Sequence, residues 1–427
     1  MMVHILLLSS AAILAALLLL ILFEPGIEYR VLAPGFDVED ERYLELLAVV
    51  INARPFHGSR VEVHSTGEAI YAAELASIRA AKSTVHIEAY LFLRGVAGDR
   101  FREALIECAR RGVKVRVVVD ALGSLLTPAA YFDPLRKAGG QVAWYQPIRW
   151  YTLKRFNNRT HRELVIVDGE IGFVGGAGIA DYWLPSSVAG RPWRDTMLQI
   201  SGPLVAGLQT TFIENWLESS GEILAAEEDF PALGLEPLGE PLGPVAGLVI
   251  NSTPSAARGT RARMLFQIFL ASARKSIHIN SPYFVPDRGL RAELLRAVKR
   301  GVAVTVITPN GINNHPVARL ASRRRYGELM AGGVAIHEYQ PAMIHAKVLV
   351  VDSAWSVLGS TNFDNRSFGL NDEVNVALRD PALTARLEAD FADDLAKSRL
   401  IDYGTWARRS LAERCLALLG IVLERQE

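Results

Sequence analysis

Apolar residues recur along this chain with two alternating periods. From Glu68 to Ala81 they fall at helical spacing, and Thr84 to Phe92 then reads as a strand. Phe101 to Arg111 predicts a helix ended by Gly112, and the valine-rich run Val113 to Val119 a strand. A further helix leads to a strand over Gln141 to Tyr145, and HRELVIVD, from His161, reads as another strand. This alternation predicts an α/β protein with sheets packed between helices, mostly parallel in the core. Ahead of it, Ile5 to Phe23 is an uncharged apolar run of 19 residues, near the roughly 20 that a helix needs to cross a bilayer. A secretory signal would start with basic residues, carry a shorter apolar core and end in small residues. Here the start is MMVH and the run ends in LLLLILFEPG, so residues 1–30 are expected to be an uncleaved membrane anchor. Arg30 and Arg42 follow the span, which leans toward a cytoplasmic body while leaving the side open.

The pattern then repeats. KSTVHIEAYLF from Lys82 returns as KSIHINSPYFV from Lys275, and RRGVKVRVVVD from Arg110 as KRGVAVTVITP from Lys299. AGGQVAWYQP from Ala138 returns as AGGVAIHEYQP from Ala331, and HRELVIVD from His161 as HAKVLVVD from His345. The order is kept, and the first copy carries an extra segment within Ile148 to Thr160. Two copies imply two pseudo-symmetric lobes, expected over 45–232 and 251–405. The Pro- and Gly-rich stretch Gly234 to Gly247 marks a linker over 233–250.

Length fits two domains, and 50% hydrophobic with 22% charged residues marks a folded chain. Lys+Arg and Asp+Glu both number 46, so no global charge draws the chain to nucleic acid. Cys108 and Cys415 lack metal-ligand spacing.

The chemistry gathers at the histidines. On a strand, His345 and Lys347 would share one face with Ala346 on the other. LGSTNFD adds Gly359, Ser360 and Asn362, and LNDEVNV adds Glu373. Lysine supplies charge to a phosphate, and Asn and Ser supply hydrogen bonds. Histidine supplies a nucleophile or proton carrier, and a carboxylate orients it. These residues resemble the phospholipase D superfamily, whose signature H-x-K-x(4)-D followed by G-S/G-x-N is matched by His345, Lys347, Asp352, Gly359, Ser360 and Asn362. The resemblance covers nearly the whole chain after the apolar run and implies two phospholipase D-type lobes with one site between them.

The first motif departs from that pattern. His161 and Asp168 match, but Glu163 stands where lysine is expected, and Gly178 of GGAG where asparagine is expected. Asp195 of WRDTMLQI takes the place in the first lobe that Glu373 has in the second. A carboxylate repels a phosphate, and one lost charge-assisted hydrogen bond costs about 1.5–3 kcal/mol. Three readings stay open: a basic residue among Arg149, Lys154, Arg155 and Arg159 replaces the charge; Glu163 is protonated or turned away in a slow enzyme; or the protein only binds phospholipid. Arg162 should point to the opposite face.

Within the superfamily the chain is similar to bacterial cardiolipin synthases, on the apolar run, HIEAYLF at His86, SPYFVPD at Ser281 and FIENWLESSGEIL at Phe212. That similarity implies an inner-membrane phosphatidyltransferase needing no metal or other cofactor, with anionic phospholipids (phosphatidylglycerol, cardiolipin) and the membrane as partners. It implies one histidine as nucleophile forming a phosphohistidine and the other as the acid: His161 takes the first role and His345 the second, or the reverse if the departures in the first motif favour His345 as nucleophile. It also implies Lys347, Asn362, Ser360 and Gly176 around the phosphate, Asp195 and Glu373 orienting the histidines, and Asp168 and Asp352 holding the motif turns. A phosphodiester hydrolase uses the same residues. A nuclease would want a basic groove, for which Arg319, Arg323, Arg324 and Arg325 are the candidates, but no nucleic acid is expected. Residues 406–427 predict an amphipathic helix, lying on anionic headgroups or packed on the second lobe.

Overall fold

The computed structural model describes residues 9–10, 29–32, 36–150, 157–185, 191–231, 241–254 and 260–409. The expected anchor, apart from residues 9–10 and 29–30, lies outside the described residues, as does the C-terminal stretch after residue 409. Among the described residues, no helix is long and apolar enough to cross a membrane.

Each copy of the repeat builds the same seven strands. The first holds β1 (Pro55–Thr66), β2 (Thr84–Ala89), β3 (Lys114–Asp120), β4 (Gln141–Tyr145), β5 (Leu164–Val167), β6 (Ile171–Gly175) and β7 (Arg194–Ser201). The second holds β8 (Val245–Ser252), β9 (Ser276–Asn280), β10 (Ala303–Pro309), β11 (Ala335–Tyr339), β12 (Val348–Val351), β13 (Trp355–Gly359) and β14 (Glu373–Arg379), with β15 (Ser398–Leu400) added at the edge. The spatial order is β15-β11-β10-β9-β12-β13-β14-β8-β1-β7-β6-β5-β2-β3-β4. The two halves are mirrored in strand order about the antiparallel β1–β8 seam, so one sheet runs through both.

The expectation of a mostly parallel sheet is corrected. Only β2–β3, β3–β4, β9–β10 and β10–β11 are parallel. Helices such as Val96–Arg110 and Arg288–Lys299 cross over between those strands. The motif strands β5 and β12 instead turn back into β6 and β13 through three residues. A parallel crossover needs about a dozen, so these connections force antiparallel pairing.

Asp168 and Asp352 hold those turns. Each has φ near +54°, a left-handed conformation that Asp tolerates better than most residues. The Asp168 carboxylate accepts the N–H groups of Lys82, Ser83 and Thr84 at 2.9, 2.7 and 2.9 Å. Asp352 accepts those of Arg274, Lys275 and Ser276 at 2.8, 2.7 and 2.9 Å. Each aspartate thus ties the motif hairpin to the start of the neighbouring strand.

Two expected boundaries shift. The strand β8 begins at Val245, inside the linker expected over 233–250. The helix Arg42–Val50, partly assigned to the first lobe, sends Tyr43 and Leu47 into the core of the second. There the Tyr43 ring meets Phe269 and Trp355 at 5.8 and 5.7 Å. A further core joins Leu164, Ile166 and Leu198 of the first half to Ile344, Val348 and Val350 of the second, so apolar burial fixes how the halves meet.

Candidate active site

The motif strands run antiparallel to β2 and β9, which places their leading residues at the carboxyl ends of those strands. In open α/β sheets that edge is where ligands bind. His161 and Glu163, like His345 and Lys347, were expected on a strand; both pairs lie in extended chain just before β5 and β12. Their backbone partners come from the opposite half. His161 N–H donates to Asp372 O at 2.9 Å, and Asp372 N–H to Arg159 O at 2.9 Å. His345 N–H donates to Arg194 O at 2.6 Å, and Arg194 N–H to Met343 O at 2.9 Å. The residues next in sequence to Asp372 and Arg194 are Glu373 and Asp195, so this crossing delivers each carboxylate to the other half's histidine.

The expected pairing within each lobe is therefore corrected. His161 Nδ1 lies 3.2 and 3.1 Å from the Glu373 carboxylate oxygens. His345 Nδ1 lies 2.8 Å from Asp195 Oδ2. Glu373 is fully buried and also accepts from Asn371 Nδ2 at 3.3 Å and from Ser360 Oγ. Asp195, equally buried, accepts Trp183 Nε1–H at 3.0 Å and Thr196 N–H at 2.8 Å. A carboxylate at Nδ1 takes that nitrogen's proton as a donor and leaves the lone pair on Nε2.

The two Nε2 atoms differ. Among the described residues, the hydrogen bonds of the His161 side chain all run through Nδ1 to Glu373. Lys347 Nζ lies against the His345 ring, 2.8 Å from Nδ1 and 3.0 Å from Nε2, and donates to His345 O at 2.8 Å. Burial, then the Lys347 charge, pulls His345 down to about 4 against the pull of Asp195. Burial lowers Lys347 to about 8, with Asp195 and Glu373 opposing. Burial pushes Asp195 up, but the hydrogen bond and charge of His345 and the charge of Lys347 outweigh it and hold it below the usual carboxylate range. Tyr90 packs edge-on to His161 at 5.4 Å; Trp183 and Trp193 line His345 at 5.7 and 5.3 Å.

Glu163 is buried, and burial pushes its carboxyl well above the ordinary range against the Leu91 N–H and the Lys347 charge. Its Oε1 lies 3.4 Å from Leu91 N. A Cβ placed on Gly178 would come within 2.8 Å of that oxygen, so the two departures from the family pattern touch each other. Arg159 does not replace the missing ammonium: its guanidinium donates to Asn158 O and Gln146 O at 2.6 and 2.8 Å and faces Asp120 at 3.6 Å. Arg149 is exposed after β4, and Lys154 and Arg155 lie outside the described residues. Arg162 turns to the other face, onto Thr211 O and Glu214.

Of the residues expected around a phosphate, Lys347 and Asn362 fit that place. Asn362 is buried with its Oδ1 unpartnered among the described residues. Ser360 is committed elsewhere, donating to Glu373 and accepting Val374 N–H at 3.0 Å. Gly176 makes room for a carboxylate, since a Cβ there would fall 2.5 Å from Asp195 Oδ1. Asp168 and Asp352 follow the far ends of β5 and β12, away from the histidines. Asn371, Trp183 and Trp193 were missed. Trp193 and Asn371 had a signal, each standing two residues before a histidine-orienting carboxylate, Asp195 and Glu373.

A family profile described as "Cardiolipin synthase, PLD-like domain" matches residues 75–187 and 267–395, which include both histidine motifs. The chain belongs to the cardiolipin synthase family of phospholipase D-like proteins. It is a phosphatidyltransferase of that type. It is 36% identical over 351 residues to cardiolipin synthase 2 of Bacillus anthracis, covering 82% of this chain and 67% of that one. It is 34% identical to the cardiolipin synthase of Geobacillus kaustophilus, covering 88% and 74%. It is 32% identical to the major cardiolipin synthase ClsA of Bacillus subtilis, covering 87% and 76%. Among solved structures, phosphatidylserine synthase of Haemophilus influenzae superposes with a TM-score of 0.70 at 14% identity, covering 90% of this chain and all of that one. That likeness concerns the fold.

Proposed function

We propose that the protein joins two phosphatidylglycerol molecules into cardiolipin, releasing glycerol, with His161 as nucleophile. The observation that carries this reading is the contrast at Nε2: Lys347 covers that of His345, while that of His161 has no protein partner among the described residues. His161 Nε2 attacks the phosphorus of the first phosphatidylglycerol, the bond to the headgroup glycerol oxygen breaks, and His345 protonates that oxygen. A hydroxyl of the second phosphatidylglycerol then attacks the phosphorus, gives its proton to His345, and the P–N bond breaks. A bound phosphate anion favours the imidazolium form of His345 that the first step needs. Lys347 and Asn362 hold the non-bridging oxygens. Burial favours the neutral form of Glu163, which lessens the repulsion a carboxylate there would exert on them. The apolar run Ile5 to Phe23 tethers the protein to the membrane that contains its substrate.

Cardiolipin formation from labelled phosphatidylglycerol in proteoliposomes tests this, comparing wild type with His161→Ala and His345→Ala. A p-nitrophenyl phosphodiester, whose leaving group needs no proton, should label His345→Ala in a single burst and leave His161→Ala unlabelled. The reverse labelling would exchange the two roles. Phosphatidic acid as the product would make the protein a hydrolase, and binding without any product would make it a phospholipid-binding protein.

A further inference from the structure

The loops around the site differ between the halves. β2, β3 and β4 are parallel, so the loops that follow them share the edge at which His161 sits. On those loops Leu125, Leu126 and Trp150 are 62%, 82% and 84% exposed, and Val96 and Ile148 about half exposed. Leu126 and Arg94 border the same open hollow. Arg149 is exposed beside Trp150. The carboxylates near Arg94 are engaged internally: Asp181 accepts the N–H groups of Val96 and Ala97 at 3.1 and 2.8 Å, and Asp99 pairs with Arg102 at 3.0 Å. The corresponding loops of the second half, 281–287, 310–315 and 340–344, expose no large apolar side chain; the middle one reads NGINNH.

We propose that the first-half rim, Val96, Leu125, Leu126, Ile148 and Trp150 with Arg94 and Arg149, is a docking face that enters the surface of an anionic phospholipid bilayer. A cluster of exposed apolar side chains on one edge marks an interaction site. Arginines beside it complement lipid phosphates, and a tryptophan prefers the headgroup level. The rim lies on the sheet edge at which His161 sits, so docking brings a lipid phosphate toward the site with its acyl chains still in the bilayer. The polar second-half rim stays in water, where released glycerol can leave. This inference rests on the lipid substrate proposed above.

The test uses the full chain in two preparations. In proteoliposomes of phosphatidylglycerol and phosphatidylcholine, Leu126→Ser/Trp150→Ser should lower cardiolipin formation at least about tenfold, as expected when headgroup-level apolar anchors are lost. In phosphatidylcholine proteoliposomes supplied with monomeric dihexanoyl-phosphatidylglycerol, the same variant should keep its rate within about twofold, because the histidine pairs are untouched. Equal loss on both substrates, or loss on neither, overturns the docking face. Brominated phosphatidylglycerol in the vesicles should also quench the wild-type fluorescence more than that of Trp150→Phe, and equal quenching overturns the proposal. This last readout needs no turnover. If wild type forms no cardiolipin from either substrate, the functional reading fails and the quenching still decides the surface.

Discussion

Lys347 and Glu163 hold corresponding positions, each two residues after a histidine and each buried, yet the groups that oppose the effect of burial differ. Burial pulls the ammonium down only to about 8, because Asp195 and Glu373 oppose it. It pushes the carboxyl well up, because only the Leu91 and Tyr90 N–H groups and the Lys347 charge oppose it. Burial thus favours the neutral carboxyl in one half-site, while opposing carboxylates sustain the ammonium in the other. The histidines, by contrast, are matched: each has a carboxylate on Nδ1, supplied by the opposite half. The pseudo-symmetric machinery for proton transfer is thus kept intact while the phosphate-binding charge is concentrated in the second half. Among the described residues the rim loops reverse the bias, with large apolar side chains exposed on the first half and none on the second.

The sharpest way to break this comparison is at the matched pair. His161→Ala and His345→Ala should each lower cardiolipin formation by about 10³-fold or more, since nucleophile and acid serve one reaction. A variant that stays active would show that the halves do not share a site. At the unmatched pair, Lys347→Met should cost about 10- to 100-fold, the range of a lost charge-assisted hydrogen bond of about 1.5–3 kcal/mol. Glu163→Gln should stay within about threefold, because one neutral group replaces another. Equal losses at the two positions would undo the division of charge.

The pH profile sharpens the contrast further. Lys347 loses its proton as pH rises through about 8, so transfer should fall above that value. Asp195→Asn removes the carboxylate that most opposes the effect of burial, and the fall should move to lower pH. An unmoved limb would assign it to another group. The smallest effect is on stability. A carboxyl raised in the folded state binds its proton there while the unfolded chain has lost it, so stability falls as pH rises above the unfolded value near 4.3. Glu163→Gln does not titrate. Its melting temperature should match wild type near pH 4 and exceed it increasingly toward pH 8, while a constant difference would mean that Glu163 is not held neutral.

Much of the site could be read before any coordinates. His161, His345, Asp195 and Glu373 were legible because spacing and repetition mark them twice, and Lys347 and Asn362 because they complete the signature in the second copy. Ser360 and Gly176 lie against carboxylates in the structure; a hydroxyl and a missing Cβ suit a buried carboxylate as well as a phosphate, so the sequence could not show the contacts with Glu373 and Asp195. The parallel reading of the sheet failed because strand periodicity is the same in either direction, and the evidence was in the three-residue links after β5 and β12.

By itself, the sequence determined the two-copy architecture, the chemistry available and the two departures at Glu163 and Gly178, since these reside in residue type and order. The tertiary structure decided which carboxylate serves which histidine. That pairing depends on backbone hydrogen bonds made across the interface, Thr160 bridging Asp372 and Arg194 bridging Ile344. Segments far apart in sequence meet there because apolar burial brings the halves together. It also decided that Glu163 is buried against Gly178 and Leu91, and burial sets the charge of that carboxyl.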